Sequence, residues 1–237
     1  MNIKFPLIKE SVLRSPDFWW LIGFVQGDGF VDTVDKEEIR LTSVNRELIL
    51  HAAGLLSSLF GLEARVRVEW HKPPIKPQFR LAVYSKILVD WILHLGLKFG
   101  MRKWNVPSSP ESLFLPYLAG LFDAEGSLIM SRNRRNQKKI RQIIIYSTNR
   151  RALAVISRTL SRLHIRTSIL ERKRRPHYDY ELRMSGGEEK KWFVEKVGVF
   201  VHHPRKRRYL DSVHLPEVRD ARPTGRKAGT MNVLFSP

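Results

Sequence analysis

Two acidic residues stand out by their setting. Asp28 and Glu125 each close an apolar segment that reads as a helix, LIGFVQGDG from residue 21 and LAGLFDAEG from residue 118, and glycine follows each acid at once. A carboxylate in the last helical turn sits among unpaired carbonyls at the negative end of the helix dipole, where it is disfavoured. A cation would correct that imbalance, and carboxylate and carbonyl oxygens are the ligands a hard divalent ion takes. Two such acids side by side suit in-line attack on a phosphodiester, with one ion activating water and another stabilising the leaving oxygen.

One acid before glycine is ordinary helix-end chemistry; its recurrence carries the weight. Gly23, Gly27, Asp28 and Gly29 match Gly120, Ala124, Glu125 and Gly126 at a constant offset of 97. Ser43-Val44-Asn45-Arg46 matches Ser147-Thr148-Asn149-Arg150 at offset 104, and Trp91 and Phe99 match Trp192 and Phe200 at offset 101. Small residues four apart lie on one helical face and let two backbones approach closely. Helices packed through those faces would bring both acids out at the same end.

The elements that must position them repeat as helix, two strands, helix, two strands, helix, which makes the chain α+β. Ser15 and Pro16 start the first motif helix, and strands are expected at 30–34, 38–44, 64–71 and 78–84. Asn45 precedes a helix ending at Gly61, and Leu88, Trp91, Ile92 and Leu95 mark another. Strict alternation over 64–71 turns Ala64, Val66, Val68 and Trp70 to one face and Arg65, Arg67, Glu69 and His71 to the other. The second repeat has strands near 127–132, 140–147, 166–173 and 178–184 and helices near 149–163 and 187–197. Pro116 reads as the first residue of its motif helix, leaving about two turns before Gly126. The expected division is 1–105, a first repeat with an N-terminal extension, and 106–237, a second repeat with a basic C-terminal tail.

Composition narrows the partners. The 237 residues hold 42 Lys+Arg, 23 Asp+Glu and no Cys, for a net charge of +19, and +14 of that lies in residues 127–175. Disulfide scaffolds are excluded, and 43% hydrophobic residues exclude a disordered polycation. No apolar run is long enough to span a membrane, and MNIKFPLIKE is unlike a secretory signal, so an intracellular, non-secreted protein is expected. Concentrated Arg alternating with apolar residues in strand-like runs favours nucleic acid over a lipid surface.

The segments LIGFVQGDG and LAGLFDAEG resemble the two motifs of a single-chain LAGLIDADG homing endonuclease, over roughly residues 15–210. The resemblance implies two pseudo-twofold αββαββα repeats whose antiparallel sheets saddle double-stranded DNA, with the motif helices packed at the interface. It implies a monomeric hydrolase using Mg²⁺ or Mn²⁺, with Ca²⁺ as a binding but non-cleaving substitute, that cuts both strands across the minor groove and leaves 3′ overhangs. Carried onto this chain, Asp28 and Glu125 become catalytic metal ligands, with the carbonyls of Gly27 and Ala124 close to the ions. Asn45 and Asn149 match polar positions that orient water, although helix N-capping is the competing reading. Lys103 and Lys206 fit loosely the lysine found near the end of each repeat, with Lys98 a rival to the first. Gln26 stands where the first motif usually has an earlier acid, which Asp123 retains in the second.

Alternation from the motifs assigns a DNA face: Asp32, Val34, Lys36, Glu38, Arg40, Thr42, Arg65, Arg67, Glu69, Gln78 and Arg80 in the first repeat. In the second it assigns Ile129, Ser131, Asn133, Gln142, Ile144, Tyr146, Ser168, Arg172, Arg174 and Arg183, with Arg134 and Arg135 in a basic hairpin loop over the backbone. Two half-sites of about one helical turn each imply an asymmetric target of roughly two turns. The alternative function is a non-cleaving nucleic-acid binder on the same fold, an intron RNA maturase acting on its own intron or a transcription factor. An intein is disfavoured by the absence of Cys and of a terminal His-Asn pair, and a zinc nuclease by the lack of a His/Cys ligand set. The lopsided charge predicts that neutralising Arg134, Arg135, Lys138 and Lys139 flattens the salt dependence of DNA affinity more than removing Arg65 and Arg67 does. Binding titrations across a salt series check this, and equal slopes would refute the asymmetry.

Overall fold

The computed structural model describes residues 10–212 apart from 34, 71, 73–75, 101–102, 133–137 and 175–176. Ser15 and Pro16 do start the first motif helix, α2 (Pro16–Asp28), after a short α1 (Glu10–Leu13) that the sequence pattern did not announce. Residues 18–26 of α2 are all buried, so this helix is enclosed on every side and lies at the centre of the molecule. Its counterpart in the second repeat is α5 (Glu111–Glu125).

Here the expectation for Pro116 fails. The helix begins after Pro110, whose carbonyl accepts from Leu113 N and Phe114 N at 3.0 Å each, and Pro116 lies within the helix, buried. A proline there removes one backbone hydrogen bond near the helix start, and burial against the neighbouring helix outweighs it.

The two helices pack through their small residues. A Cβ added at Gly23 would fall on the Tyr117 carbonyl oxygen and 2.8 Å from Leu121 N, and one at Gly120 on the Trp20 carbonyl oxygen and 2.9 Å from Phe24 N. One turn on, a Cβ at Gly27 would collide with that of Ala124.

Each helix is followed by a four-stranded antiparallel sheet. The first has order β1-β2-β4-β3, with β1 (Gly29–Val31), β2 (Glu38–Ser43), β3 (Arg65–Glu69) and β4 (Gln78–Tyr84). The second has order β5-β6-β8-β7, with β5 (Gly126–Arg132), β6 (Lys138–Ser147), β7 (Ser168–Arg174) and β8 (His177–Met184). Ile39, Leu41, Leu81 and Val83 of one sheet, and Ile143, Ile145, Leu182 and Met184 of the other, join the buried core. Behind the sheets lie α3 (Arg46–Phe60), α4 (Lys86–His94) and α6 (Arg150–Arg162).

Strand β3 departs from expectation. Val66 and Val68 pair in register with Leu81 and Phe79 and so share their face, yet they remain 37% and 44% exposed, with Trp70 at 80%. The alternation is right, but β3 is an outer strand beyond the cover of the central helices. The helix expected at 187–197 is also interrupted: α7 (Gly187–Trp192) passes into a π-helical turn, Phe193–Val197, and a 3₁₀ turn, Gly198–Phe200. The chain ends its described course in α8 (Pro204–Ser212), which was not foreseen because PRKRRYLDS has no apolar stripe and buries only Leu210.

The helix contact predicts a sharp contrast between glycines. Gly23→Ala and Gly120→Ala should each destabilise by about 2 kcal/mol or more, because backbone and not a flexible side chain must give way. Gly54→Ala, at an exposed position of α3 with nothing within 4 Å of the added methyl, should stabilise by about 0.5–1 kcal/mol. Urea denaturation midpoints of the three variants measure the contrast.

Candidate functional site

The close helix contact delivers both acids to one place. Gly27 lies so near α5 that its added Cβ would stand 3.3 Å from Glu125 Cγ, and Asp28 follows as the last residue of α2. The Asp28 carboxyl is pushed up to about 6 by burial, opposed by Lys206. Glu125 is pushed up to about 7, by burial first and by the charge of Asp28 second, with Asp179 adding to the rise and Lys206 opposing it. Neither carboxylate accepts a hydrogen bond among the described residues. Two unsupported acids therefore share a low-dielectric site at the negative ends of two helices.

The position two residues before each acid has a different task, and here the pseudo-symmetry is close. Asp123 is buried and accepts from Trp20 Nε1 (3.0 Å), His202 N (2.7 Å) and His203 N (3.1 Å). Gln26 accepts from Tyr117 Oη (2.8 Å) and donates to the carbonyls of Lys98 and Asn105, 2.9 Å each. Trp20 and Tyr117 are themselves 97 residues apart, so each motif helix sends an aromatic donor across to its partner. Each of these buried polar groups also ties down the segment leaving its own repeat. This network was invisible to motif reading, although Trp20 and Tyr117 share the offset that aligns the acids.

Lys206 is held by α8 at the same end of the site. Its Nζ donates to the carbonyls of Phe122 (2.6 Å) and Asp123 (2.9 Å) and lies 5.0 Å from the centre of the Phe122 ring. Burial lowers its ammonium to about 8, against the pull of Asp123, Asp28 and Glu125. Lys103 and its rival Lys98 are both exposed, and Lys98 contributes its main chain to the Gln26 network. Of these three lysines, only Lys206 is half-buried beside the acids.

Asn45 and Asn149 both cap helices, as the competing reading has it. Asn45 Oδ1 accepts from Glu47 N (3.0 Å) and Leu48 N (3.3 Å), and Asn149 Oδ1 from Ala152 N (3.1 Å). Asn149 is buried and also donates to the Trp104 carbonyl at 2.6 Å. Both carboxamide oxygens are engaged at helix ends.

A cavity of about 520 Å³ opens beside Glu125, lined among others by Gly27, Gly29, Tyr146, Thr148 and Asp179. On either side the polar sheet faces spread out in register. Arg40 lies beside Ala82 and Arg65, Thr42 beside Arg80 and Arg67, and Gln78 beside Glu69. In the second sheet Ile129 faces Gln142, Arg183 lies between Ile144 and Ser168, and Arg172 faces Asp179. Ser131 continues that face beyond a register shift between Ile129 and Met130, and Tyr146 lies opposite Glu181. Asp32 and Lys36 occupy the connection between β1 and β2, where Asp32 Oδ1 accepts from Asp35 N at 3.1 Å.

Two expected readers cannot reach a ligand. Glu38 and Ile144 are on the assigned face but fully enclosed, because alternation fixes which way a side chain points and not what its neighbours cover. Phe30, Leu170 and Glu181 also lie on these faces; the same alternation, extended two residues from Asp32 or Arg183, reaches Phe30 and Glu181. Val34, Asn133, Arg134 and Arg135 lie outside the described residues, as does the Arg174 side chain.

Among the described residues, no group of three or more His, Asp or Glu side chains could hold a metal ion, and no helix is long and apolar enough to cross a membrane. An ion at this site would depend on the two carboxylates and neighbouring carbonyls.

The LAGLIDADG-like domain profile matches residues 15–95 and 115–198, covering both repeats. The homing endonuclease I-DmoI, crystallised with DNA and Ca, superposes with a TM-score of 0.55 at 22% identity, covering 83% of this chain and 97% of that one. Full-length DUF199/WhiA from Thermatoga maritima gives 0.55 at 18% identity, covering 89% of this chain and 61% of WhiA. The replicative DNA helicase DnaB of Rhodothermus marinus is 27% identical over 208 residues, which span 82% of this chain but 21% of the helicase. With the profile lying over both motifs, and the fold shared with I-DmoI and WhiA, the chain belongs to the LAGLIDADG family, with two motifs on one polypeptide.

Proposed function

We propose that this protein is a site-specific DNA endonuclease that makes a divalent-metal-dependent double-strand break in a long asymmetric target, leaving 3′ overhangs. The observation that carries the reading is the pair Asp28 and Glu125, two carboxylates without hydrogen-bond donors among the described residues, at the negative ends of two packed helices, each pushed far above its ordinary pKa. Such a pair is poorly accommodated unless positive charge arrives. I-DmoI crystallised with DNA and Mn offers a parallel in a shared fold.

The residues fit a divalent cation. Asp28 and Glu125 would hold it with the carbonyls of Gly27 and Ala124, an all-oxygen set suited to Mg²⁺ or Mn²⁺. Bound there, the ion supplies charge neutralisation and a water of lowered pKa. The chain supplies position. The glycine contact fixes the distance between the acids, and the Asp123 and Gln26 networks anchor the segments that close around them. Lys206 offsets negative charge at the end of α5, and with its pKa near 8 it can exchange a proton with water close to neutrality. The basic sheet faces hold the duplex over the site, with Arg, Gln and Asp or Glu side chains directed to base edges and phosphates.

Two experiments test this. Asp28→Asn and Glu125→Gln should each abolish cleavage of linear DNA in Mg²⁺ while leaving DNA affinity within a few-fold; normal cutting by either variant would remove the assignment. The raised acids also fix a pH dependence. Their unfolded values are near 4, so the folded state holds these protons more tightly, and stability from the pair falls as pH rises from about 4 to about 7. A bound dication reverses that loss. The rise in Tm caused by Mg²⁺ or Ca²⁺ should therefore be small at pH 5 and complete by pH 8, and Glu125→Gln should reduce it at every pH.

A further inference from the structure

The polar face of each sheet carries one glutamate that solvent does not reach, Glu38 in β2 and Glu181 in β8, both 0% exposed. A carboxylate removed from water is costly unless cations offset it. In the first sheet Arg40 grips Glu38 along one edge, Nε to Oε1 at 3.1 Å and Nη2 to Oε2 at 2.8 Å, and its guanidinium carbon lies 5.5 Å from the Phe30 ring centre. Arg80 approaches the same carboxylate at 3.8 Å and donates to Glu69 at 2.8 Å. In the second sheet Arg183 Nε donates to Glu181 Oε2 at 2.6 Å, and Arg172 forms an ion pair with the other oxygen, Oε1, without hydrogen-bond alignment.

The register shows that these arrangements arose differently. Gly29 and Gly126 pair with Leu41 and Ile145, which pair in turn with Leu81 and Leu182. Counted from there, Arg80 corresponds to Glu181 and Glu69 to Arg172. The same cross-strand ion pair therefore occurs in both repeats with its charges exchanged, and in each an enclosed glutamate holds a neighbouring arginine two residues away. Held along the Nε edge, Arg40 and Arg183 make no hydrogen bond through Nη1 or the outer hydrogen of Nη2 among the described residues, the fork that matches guanine O6 and N7. Their side chains are 30% and 22% exposed, so the free ends are accessible.

Resting on the reading that these faces bind DNA, we infer that Glu38 and Glu181 are positioning residues for base recognition, each orienting one arginine, Arg40 or Arg183, to read a guanine in its own half-site. A tethered guanidinium has lost its rotamer freedom before DNA arrives and cannot swing to the nearest phosphate. It discriminates where a loose one only attracts. Because the corresponding positions carry exchanged charges, the two guanines fall at non-equivalent places and the target is not a palindrome there.

The test is selection of bound duplexes from a random pool in Ca²⁺, which does not depend on cleavage, for the wild type, Glu38→Gln and Glu181→Gln, with Tm recorded for each. The wild type should enrich a guanine in each half-site. Glu181→Gln should lose roughly ten-fold preference at one of them and keep the other, Glu38→Gln the reverse, and each should steepen the salt slope by about one as an arginine is released to phosphate. Arg183→Lys and Arg40→Lys, which keep a cation beside each enclosed glutamate but cannot present the two-pronged fork, should weaken the same two guanines even where a glutamine variant folds poorly. Glutamine variants with unchanged base preferences and a lower Tm would mean that the glutamates only hold the sheets together, overturning the inference. Loss spread evenly over all positions would overturn it too. If the wild type binds the pool without enriching any sequence, the inference falls together with site-specific recognition, whereas guanines unaffected by all four substitutions sink the inference alone.

Discussion

The approach of two helix backbones at Gly23 and Gly120 is the constraint on which the rest depends. No side chain fits between the Gly23 Cα and the Tyr117 carbonyl, or between Gly120 and that of Trp20, so the helices meet main chain to main chain. That contact sets three things together. It places Asp28 and Glu125 at one end, aligns the two sheets about a common axis, and leaves room for Trp20 and Tyr117 to reach buried acceptors on the opposite helix. A core of interdigitated large side chains would hold the helices further apart and separate the acids.

The same packing creates an electrostatic imbalance at the site. Burial raises both acids, and proximity raises Glu125 further, while the half-buried Lys206 answers them from α8. Asp123 shows the contrast. It is more deeply buried than either acid, yet three donors converge on it, and its work is to fasten the segment at His202 and His203 to the central helices. Two acids two residues apart in one motif thus stand in opposite surroundings, decided by whether backbone and indole N–H groups meet them. Pseudo-symmetry is strict where the halves touch and relaxed on the sheet faces, where Arg80 and Glu69 exchange charge with Glu181 and Arg172.

Much of this was legible in the chain. The offset of 97, the small residues four apart and the glycine after each acid specified the helix pair, and period-two alternation assigned side chains to the correct sheet faces. Both rest on local geometry, the 3.6-residue and two-residue repeats that sequence carries directly. Coverage is a different matter. Glu38 and Ile144 point the expected way and are enclosed by neighbours on adjacent strands, while Val66 and Val68 point toward the core side and remain exposed on an outer strand. Helix boundaries at Pro116 and in 187–200 also went astray, because tertiary packing there overrides the usual penalties for proline and for a broken helix.

By itself, then, the sequence determined the repeat, the two acids, the family and the uneven placement of charge, all properties of residue type and spacing. Only the tertiary structure decided what each polar group near the acids does. Asn45 and Asn149 became caps because their backbone torsions place Oδ1 at the N–H groups of α3 and α6. Lys206 and not Lys103 reached the site because α8 folds back over the end of α5, and its apolar content is too slight to announce that helix. The physical reason is common to all these cases: spacing along the chain specifies direction, whereas burial and charge depend on elements brought together from about a hundred residues away.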